Sequence, residues 1–319
     1  MRSITIGPND QGQRLDKFLG KYLKNLPQSL LYKYIRLKRV KVNGKRSEIA
    51  YRLVLGDVVD LYINDEFFAS PREEEAFLHV QPHFGVVYED ENLLVVDKKP
   101  GLIVHSDEGE QVNTLIAQIQ SYLYQKGEYR PQEEHSFAPA LCNRIDRNTG
   151  GMVLAAKNAE TLRILNQKIK DGELDKYYQC VTIGGHLPKR QDRLVGYHFK
   201  DARNNQCYIR PTPTKGCRTA ITEYRVLEEK GPLSLLEVHL ITGRTHQIRA
   251  HMASIGHPLL GDGKYGQGTV NREYGESWQL LYACRLTFAF TSDAGILGYL
   301  QGKTLEIPGP LFPRYFPQR

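Results

Sequence analysis

Two different periodicities divide the chain. From Arg14 to Leu23, apolar Leu15, Phe18, Leu19 and Tyr22 recur at helical spacing, with Lys17, Lys21 and Lys24 between them. Pro27 and Ser29 open a second predicted helix whose apolar face is Leu30, Leu31, Tyr34 and Ile35. Its other face and its end present Lys33, Arg36, Lys38 and Arg39. A short strand over 40–42, a turn at Asn43-Gly44 and a strand over 57–63 complete this segment. Beyond residue 80 the pattern becomes one of strands. Two β-rich runs between 86 and 105 flank the polar Glu89-Asp90-Glu91-Asn92 turn, and Pro100-Gly101 marks another turn. Further strands are predicted over 152–156, 177–183, 220–227, 233–241 and 286–290. An amphipathic helix with Leu162, Leu165 and Ile169 fills 159–174, and the polar stretch 122–136 reads as a loop. Uneven runs of strands with a few helices predict an α+β architecture with a largely antiparallel sheet.

Charge sharpens this division. The formal net charge is +7, yet residues 1–65 hold 13 of the 43 basic and only 6 of the 36 acidic residues. The remainder carries 30 of each. A small cationic module therefore precedes a neutral body, and clustered positive charge is the footprint of phosphate-backbone binding. The boundaries expected are a module over 1–65, a linker over 66–80 with Pro71 and the Glu73-Glu74-Glu75 run, and a larger domain over 81–319. Hydrophobic residues make up 40% and aromatic residues 10%, enough for packed cores. No apolar run approaches the roughly 20 residues that span a bilayer, and the polar start has no signal-peptide core, so a cytoplasmic protein is expected. Five cysteines lie scattered with no C-x-x-C spacing, which fits reduced thiols and neither a disulfide frame nor a zinc site.

The chemistry concentrates in LCNRIDRNTGGMVLAAK, residues 141–157. Asp146 sits between Arg144 and Arg147. The turn Asn148-Thr149-Gly150-Gly151 follows, and then the apolar run that begins at Met152. The acid is thus delivered to the mouth of a buried strand. A carboxylate among cations stays ionised and is available as a nucleophile or charge stabiliser.

This segment resembles the catalytic signature of the RluA-type pseudouridine synthases, whose usual form is His-Arg-Leu-Asp followed by Thr-Ser-Gly. Here Asn143 stands for the histidine and Gly150 for the serine, while Arg144, Asp146, Thr149 and Gly151 keep the pattern. Three more blocks resemble the same family in the same order. They are VVYEDENLLVVDKKPGLIVH (86–105), Lys176-Tyr177-Tyr178, and TGRTHQIRAHMASIGHPLLGDGKYG (242–266). The basic module resembles the S-four-type RNA-binding domain found fused to these synthases.

The resemblance implies the pseudouridine synthase fold, with a mainly antiparallel mixed sheet and a small N-terminal α/β RNA-binding domain. It implies an isomerase acting on specific uridines of structured RNA, with large-subunit ribosomal RNA as the expected substrate class and transfer RNA left open. The base must leave its helix to be reached. Asp146 would act at the anomeric carbon. Arg249 would be the ion-pair partner of Asp146, with Arg244 as the runner-up. Tyr178 would stack on the uracil and take the proton from carbon 5. Arg144, Arg244, Lys176, Arg36, Lys38 and Arg39 would contact RNA. No metal and no nucleotide cofactor is expected, and a monomer is. Two other readings stay open, a non-catalytic RNA-binding protein and a nucleosidase, the second of which needs a further carboxylate within about 5–10 Å.

Three candidates are set aside. Gly261, Gly263 and Gly266 spell G-x-G-x-x-G, but they follow His257-Pro258 with no preceding strand, so the stretch reads as a turn-rich loop. His246, His251 and His257 are spaced by five and six, which does not align ligands on one helical face. Cys142, close to Asp146, reads as a packed thiol.

Overall fold

The protein is described by a computed structural model over residues 1–68, 76–106, 112–201, 203–204, 206–309 and 311–317; Pro71 and the Glu73–Glu75 run of the expected linker lie outside these. Internal contacts divide the chain into two compact units. One comprises Met1–His83, Ser106–Leu141 and Ala156–Arg163, and the other Phe84–His105, Cys142–Ala155 and Ile164–Arg319.

The first unit begins with β1 (Arg2–Thr5), α1 (Leu15–Tyr22), α2 (Gln28–Arg36), β2 (Val40–Val42), β3 (Lys45–Arg46) and β4 (Val58–Leu61). The strands form an antiparallel sheet in the order β1-β4-β2-β3. Leu15, Phe18 and Leu19 of α1 and Leu31, Tyr34 and Ile35 of α2 pack against Val40, Val42, Val59 and Leu61. The lysines between the apolar positions of α1 are exposed, as are Arg36, Lys38 and Arg39 at the end of α2. Lys38 adopts a left-handed φ of 62° and ends the helix. The same unit holds α3 (Leu115–Gln125), so the first residues of the predicted 122–136 loop are helical instead. Their helical content was hidden because the apolar positions Leu115, Ile119 and Leu123 begin before that stretch. Asn9 donates to Glu134, Gln13 donates to Ser136, and Ser136 donates to Asp10, so the start of the chain is tied to the segment 126–141.

In the second unit a sheet runs β11-β10-β12-β13-β9-β14-β8-β6-β5, with β15 (Thr304–Glu306) added on β14. Its strands are β5 (Gly85–Glu89), β6 (Leu93–Lys98), β8 (Gly150–Ala156), β9 (Leu174–Ile183), β10 (Gln191–Asp201), β11 (Gln206–Arg210), β12 (Arg218–Lys230), β13 (Leu233–Leu240) and β14 (Leu281–Phe288). The short strand β7 (Ala140–Leu141) precedes β8 in the chain. The pairs β5–β6, β10–β11, β10–β12, β12–β13, β13–β9, β14–β9 and β14–β15 are antiparallel, and β14 with β8 is parallel. The sheet is therefore mixed and mainly antiparallel. β8 is buried at every position, which is why its sequence shows a continuous apolar run. Helix α4 (Ala159–Asp171) stops earlier than the predicted 174, because Gly172 takes a positive φ and Leu174 already begins β9.

The hairpin β10–β11 is absent from the periodicity reading. Its inward positions include Gly196 and His198, not aliphatic residues, so no apolar alternation betrays it. No helix among the described residues is long and apolar enough to cross a membrane.

Candidate active site

The signature turn is held from several sides. Asn143 accepts the backbone N–H of Leu154 through Oδ1 at 2.8 Å, and Cys142 donates its N–H to the Leu154 carbonyl at 2.8 Å. Asn143 therefore fastens the turn to β8. Thr149 donates its N–H to the Asp146 carbonyl at 3.0 Å and accepts from Gln279 through Oγ1. The two glycines follow from close packing against β14. A Cβ at Gly150 would lie 2.3 Å from the Tyr282 ring, and one at Gly151, where φ is 108°, would lie 2.2 Å from the Ala283 carbonyl. Tyr282 thus fills the space a side chain at 150 would need, and its hydroxyl donates to Asp97 at 2.6 Å.

Beneath the turn lies Lys98, whose residue is 0% exposed. Its Nζ donates to the carbonyls of Lys99, Leu102 and Arg147 at 3.0, 2.8 and 2.8 Å. Burial pulls this ammonium down to about 8, against the opposing charges of Asp146 and Asp97. A buried cation thus ties the Lys99–Leu102 turn to the residue after Asp146. The sequence reading passed over Lys98, because a lysine inside a β-rich block carries no signal of its burial.

Asp146 itself is 26% exposed and accepts from Arg249 Nη1 through Oδ2 at 2.8 Å. Arg249, on α5 (Gln247–Ser254), is buried and spends the rest of its fork on Asp262. Its Nε and Nη2 donate to the two Asp262 oxygens at 2.7 and 2.9 Å. Asp262 is 0% exposed and also accepts the N–H groups of Lys264 and Tyr265. These bonds hold its carboxyl below the usual range against the cost of burial, and the guanidinium is correspondingly harder to deprotonate. The planar fork is gripped by one carboxylate and presented to the other.

Asp262 escaped the sequence reading because it lies in the glycine-rich loop. The glycines there serve packing: a Cβ on Gly261 would meet the Trp278 carbonyl at 1.9 Å. Asp262 also supplies a second acid close to the first, but it is fully buried on Arg249 and cannot serve as a second reacting group. Asp262 therefore gives a nucleosidase reading no second reacting carboxylate.

Tyr178 lies on β9 with its side chain in a core of Cys180, Leu236, Val238, Ile248 and Ala283, with Ile145 packed against it. Burial, and then the charge of Asp146, push its phenol well above the usual range. Lys176, two residues earlier, shares that strand face, and burial lowers its ammonium against the charge of Asp175. Tyr177 points to the other face, where it stacks on His239 at 4.4 Å under the Arg285 guanidinium. The cleft of about 430 Å³ on that face is lined by Tyr177, Glu223, Glu237 and His239 and contains none of the signature residues.

Arg144 is exposed on the turn. Burial, and next the Arg144 charge, hold His105 below its ordinary range. Arg244 is half-buried and donates through Nε to the Thr219 carbonyl, so the ion pair with Asp146 is made by Arg249. Among the described residues no three His, Cys, Asp or Glu side chains are grouped to hold a metal ion.

Residues 92–254 match the RNA pseudouridylate synthase family, and residues 13–59 match the S4 domain. A ribosomal large subunit pseudouridine synthase C of Vibrio cholerae is 30% identical over 97% of this chain and 92% of its own length. The chain belongs to the RNA pseudouridylate synthase family. The synthase is also 30% identical to the protein of the same description from Escherichia coli K12, over 87% of this chain and 83% of that one. An RNA pseudouridine synthase of Chlorobaculum parvum is 31% identical over 80% and 76%. Among solved structures, the human RNA pseudouridylate synthase domain containing 1 covers 73% of this chain and 86% of its own, with a TM-score of 0.56 and 22% identity, and shares the fold. The synthase is accordingly an isomerase with an N-terminal S4 domain.

Proposed function

We propose that the synthase isomerises specific uridines of large-subunit ribosomal RNA, with Asp146 as the acid that acts at the anomeric carbon. The observation that carries this reading is the Asp262–Arg249–Asp146 chain. It places one partly exposed carboxylate at the end of a buried, fully gripped guanidinium. The substrate class is supported by the relatives from V. cholerae and E. coli, whose descriptions name the ribosomal large subunit.

The reaction breaks the bond from ribose C1′ to uracil N1 and joins C1′ to C5. The proton at C5 leaves and N1 gains one, so the formula is unchanged. Oxidation states balance without a redox partner, and neither a nucleotide cofactor nor a metal is called for. Asp146, held by Arg249, attacks C1′ or removes a neighbouring proton. Arg144, exposed beside it, takes the place of the flipped base or grips a phosphate.

A tyrosine is a neutral phenol at neutral pH, and burial makes Tyr178 harder still to deprotonate. Stacking on the uracil is therefore the role its environment supports, and proton removal from C5 would be uphill for it. Lys176 and Arg244 line the approach to RNA. Arg36, Lys38 and Arg39 form the exposed cationic end of α2 that meets phosphates. The domain boundaries we propose remain 1–65, 66–80 and 81–319, in a monomer of the cytoplasm with reduced thiols.

The test is an incubation of purified synthase with unmodified large-subunit ribosomal RNA and, separately, with transfer RNA, followed by pseudouridine mapping. Site-specific pseudouridine in the ribosomal RNA alone is the expected result. Modification confined to transfer RNA would overturn the substrate class and leave the reaction standing.

A further inference from the structure

His246 lies beside Asp146 but outside the Asp262–Arg249 chain, and its ring is held on two sides. It stands at the start of α5 with a left-handed backbone, φ 53° and ψ 23°, a region few residues besides glycine adopt and in which histidine, asparagine and aspartate are the commonest of those. Only 14% of its side chain is exposed. One ring nitrogen, Nε2, lies 3.9 Å from Asp146 Oδ2. The other, Nδ1, lies 3.0 Å from the hydroxyl of Tyr265. That hydroxyl also accepts the backbone N–H of Cys207, on β11, at 2.8 Å. The Tyr265 ring packs edge-on to His246 and lies 5.2 Å from the Arg249 guanidinium carbon, so it touches both neighbours of Asp146.

The bonding capacities favour one placement of the protons. The Cys207 N–H can only donate, so Tyr265 accepts there. The single hydroxyl proton then goes to the best remaining acceptor, and imidazole nitrogen outranks the nearby Cys207 thiol. With Nδ1 accepting, a neutral imidazole must carry its proton on Nε2, the nitrogen that faces the carboxylate. Burial disfavours a second proton on this ring. Asp146 and Asp262 oppose that effect, while Arg249 and Lys264 add to it.

We infer that His246 is a positioning residue for the isomerisation. Locked by Tyr265 as the Nε2–H tautomer, it aims an N–H at Asp146 Oδ2, so that His246 and Arg249 share one carboxylate oxygen and leave Oδ1 for the sugar. At 3.9 Å the contact is longer than a hydrogen bond, and such contacts tighten when substrate is bound. The lock begins at the backbone of β11, so the seating of the β10–β11 hairpin sets the aim of the acid. This inference rests on Asp146 being the reacting group.

The experiment combines nitrogen-15 NMR of ring-labelled histidines in the full-length synthase with single-turnover kinetics. In the wild type, the His246 resonances, assigned by their loss in His246→Gln, should show Nδ1 bare and Nε2 protonated. Tyr265→Phe should give a mixture of tautomers and lower the maximal rate roughly tenfold with RNA affinity unchanged. His246→Phe should lower it roughly 10- to 100-fold, while His246→Gln, whose amide can donate from a similar place, should recover most of the loss. Equal melting temperatures separate aim from folding, and the wild-type tautomer decides even if His246→Phe does not fold. Protonated Nδ1 in the wild type, or an unchanged maximal rate in His246→Phe beside an inactive Asp146→Asn, would overturn the inference alone. Normal turnover by Asp146→Asn would overturn it together with the reading beneath it.

Discussion

Two charged networks sit within the second unit, and they are built to different ends. In one, Lys168 donates to Glu173 at 2.7 Å and to the carbonyl and hydroxyl of Ser292 at 2.7 and 2.6 Å. Glu173 in turn accepts from the backbone and hydroxyl groups of Thr291 and Ser292. Both side chains are less than a tenth exposed. In the other, Arg249 is equally buried and Asp262 equally saturated, but Asp146 is 26% exposed. The first network has spent its bonding capacity on the fold. The second holds a guanidinium rigid at one end so that the carboxylate it grips at the other is held in place and partly free. A saturated buried ion pair is costly to break, whereas an incompletely saturated one on a saturated support can react.

Substitutions should separate the two. Asp146→Asn should abolish isomerisation while melting temperature and RNA affinity change little, because the amide is isosteric and cannot attack; rates and melting curves on one preparation check it. Next in size is Arg249→Lys. An ammonium cannot keep both carboxylates of the fork, and the single-turnover rate should fall by roughly 100-fold or more. Asp262→Asn leaves the guanidinium in place but less firmly held, so a smaller loss of roughly tenfold is expected, together with lower stability from a poorly compensated buried cation. The order Asp146, Arg249, Asp262 is itself the prediction, read from single-turnover rates at saturating RNA.

The structural network should respond in the opposite sense. Lys168→Met should lower the melting temperature by roughly 6 °C while turnover per folded molecule stays within about twofold. Hydrogen bonds from Lys168 and then Ser292 hold Glu173 down at about 2. A carboxyl lowered on folding contributes stability that is complete above its unfolded value of 4.5 and is lost as the pH falls towards 2. Urea midpoints between pH 5 and 2 should therefore drop steeply in the wild type and more gently in Lys168→Met. The smallest effect is expected far from both networks. Replacing Arg36, Lys38 and Arg39 by Gln should leave the saturated rate alone and flatten the slope of log K against log salt by roughly 2 to 3.

What could be read beforehand follows the same divide. The strand carrying the signature shows as a continuous apolar run, and the alternation along β9 puts Tyr177 and Tyr178 on opposite faces. Paired helices with lysines on their outer faces are equally visible in α1 and α2. These are periodic features, and periodicity is local. The support of the site is not periodic. Asp262 sits in a loop whose glycines answer to Trp278 and to backbone packing, and Lys98 finds its three carbonyls only after the chain has folded. His246 meets Cys207 through Tyr265 from three separate stretches of chain. Resemblance pointed to Arg249, but which of its edges faces which carboxylate is a matter of tertiary geometry.

We propose that Asp146 performs the chemistry and that its buried partners only prepare it. Tritium release from RNA labelled at uracil C5, under single turnover with RNA saturated by enzyme, tests this most directly. The wild type and Lys168→Met should release tritium at matching rates per folded molecule, and Asp146→Asn should bind the same RNA and release none. Release by Asp146→Asn within tenfold of the wild type would contradict the claim.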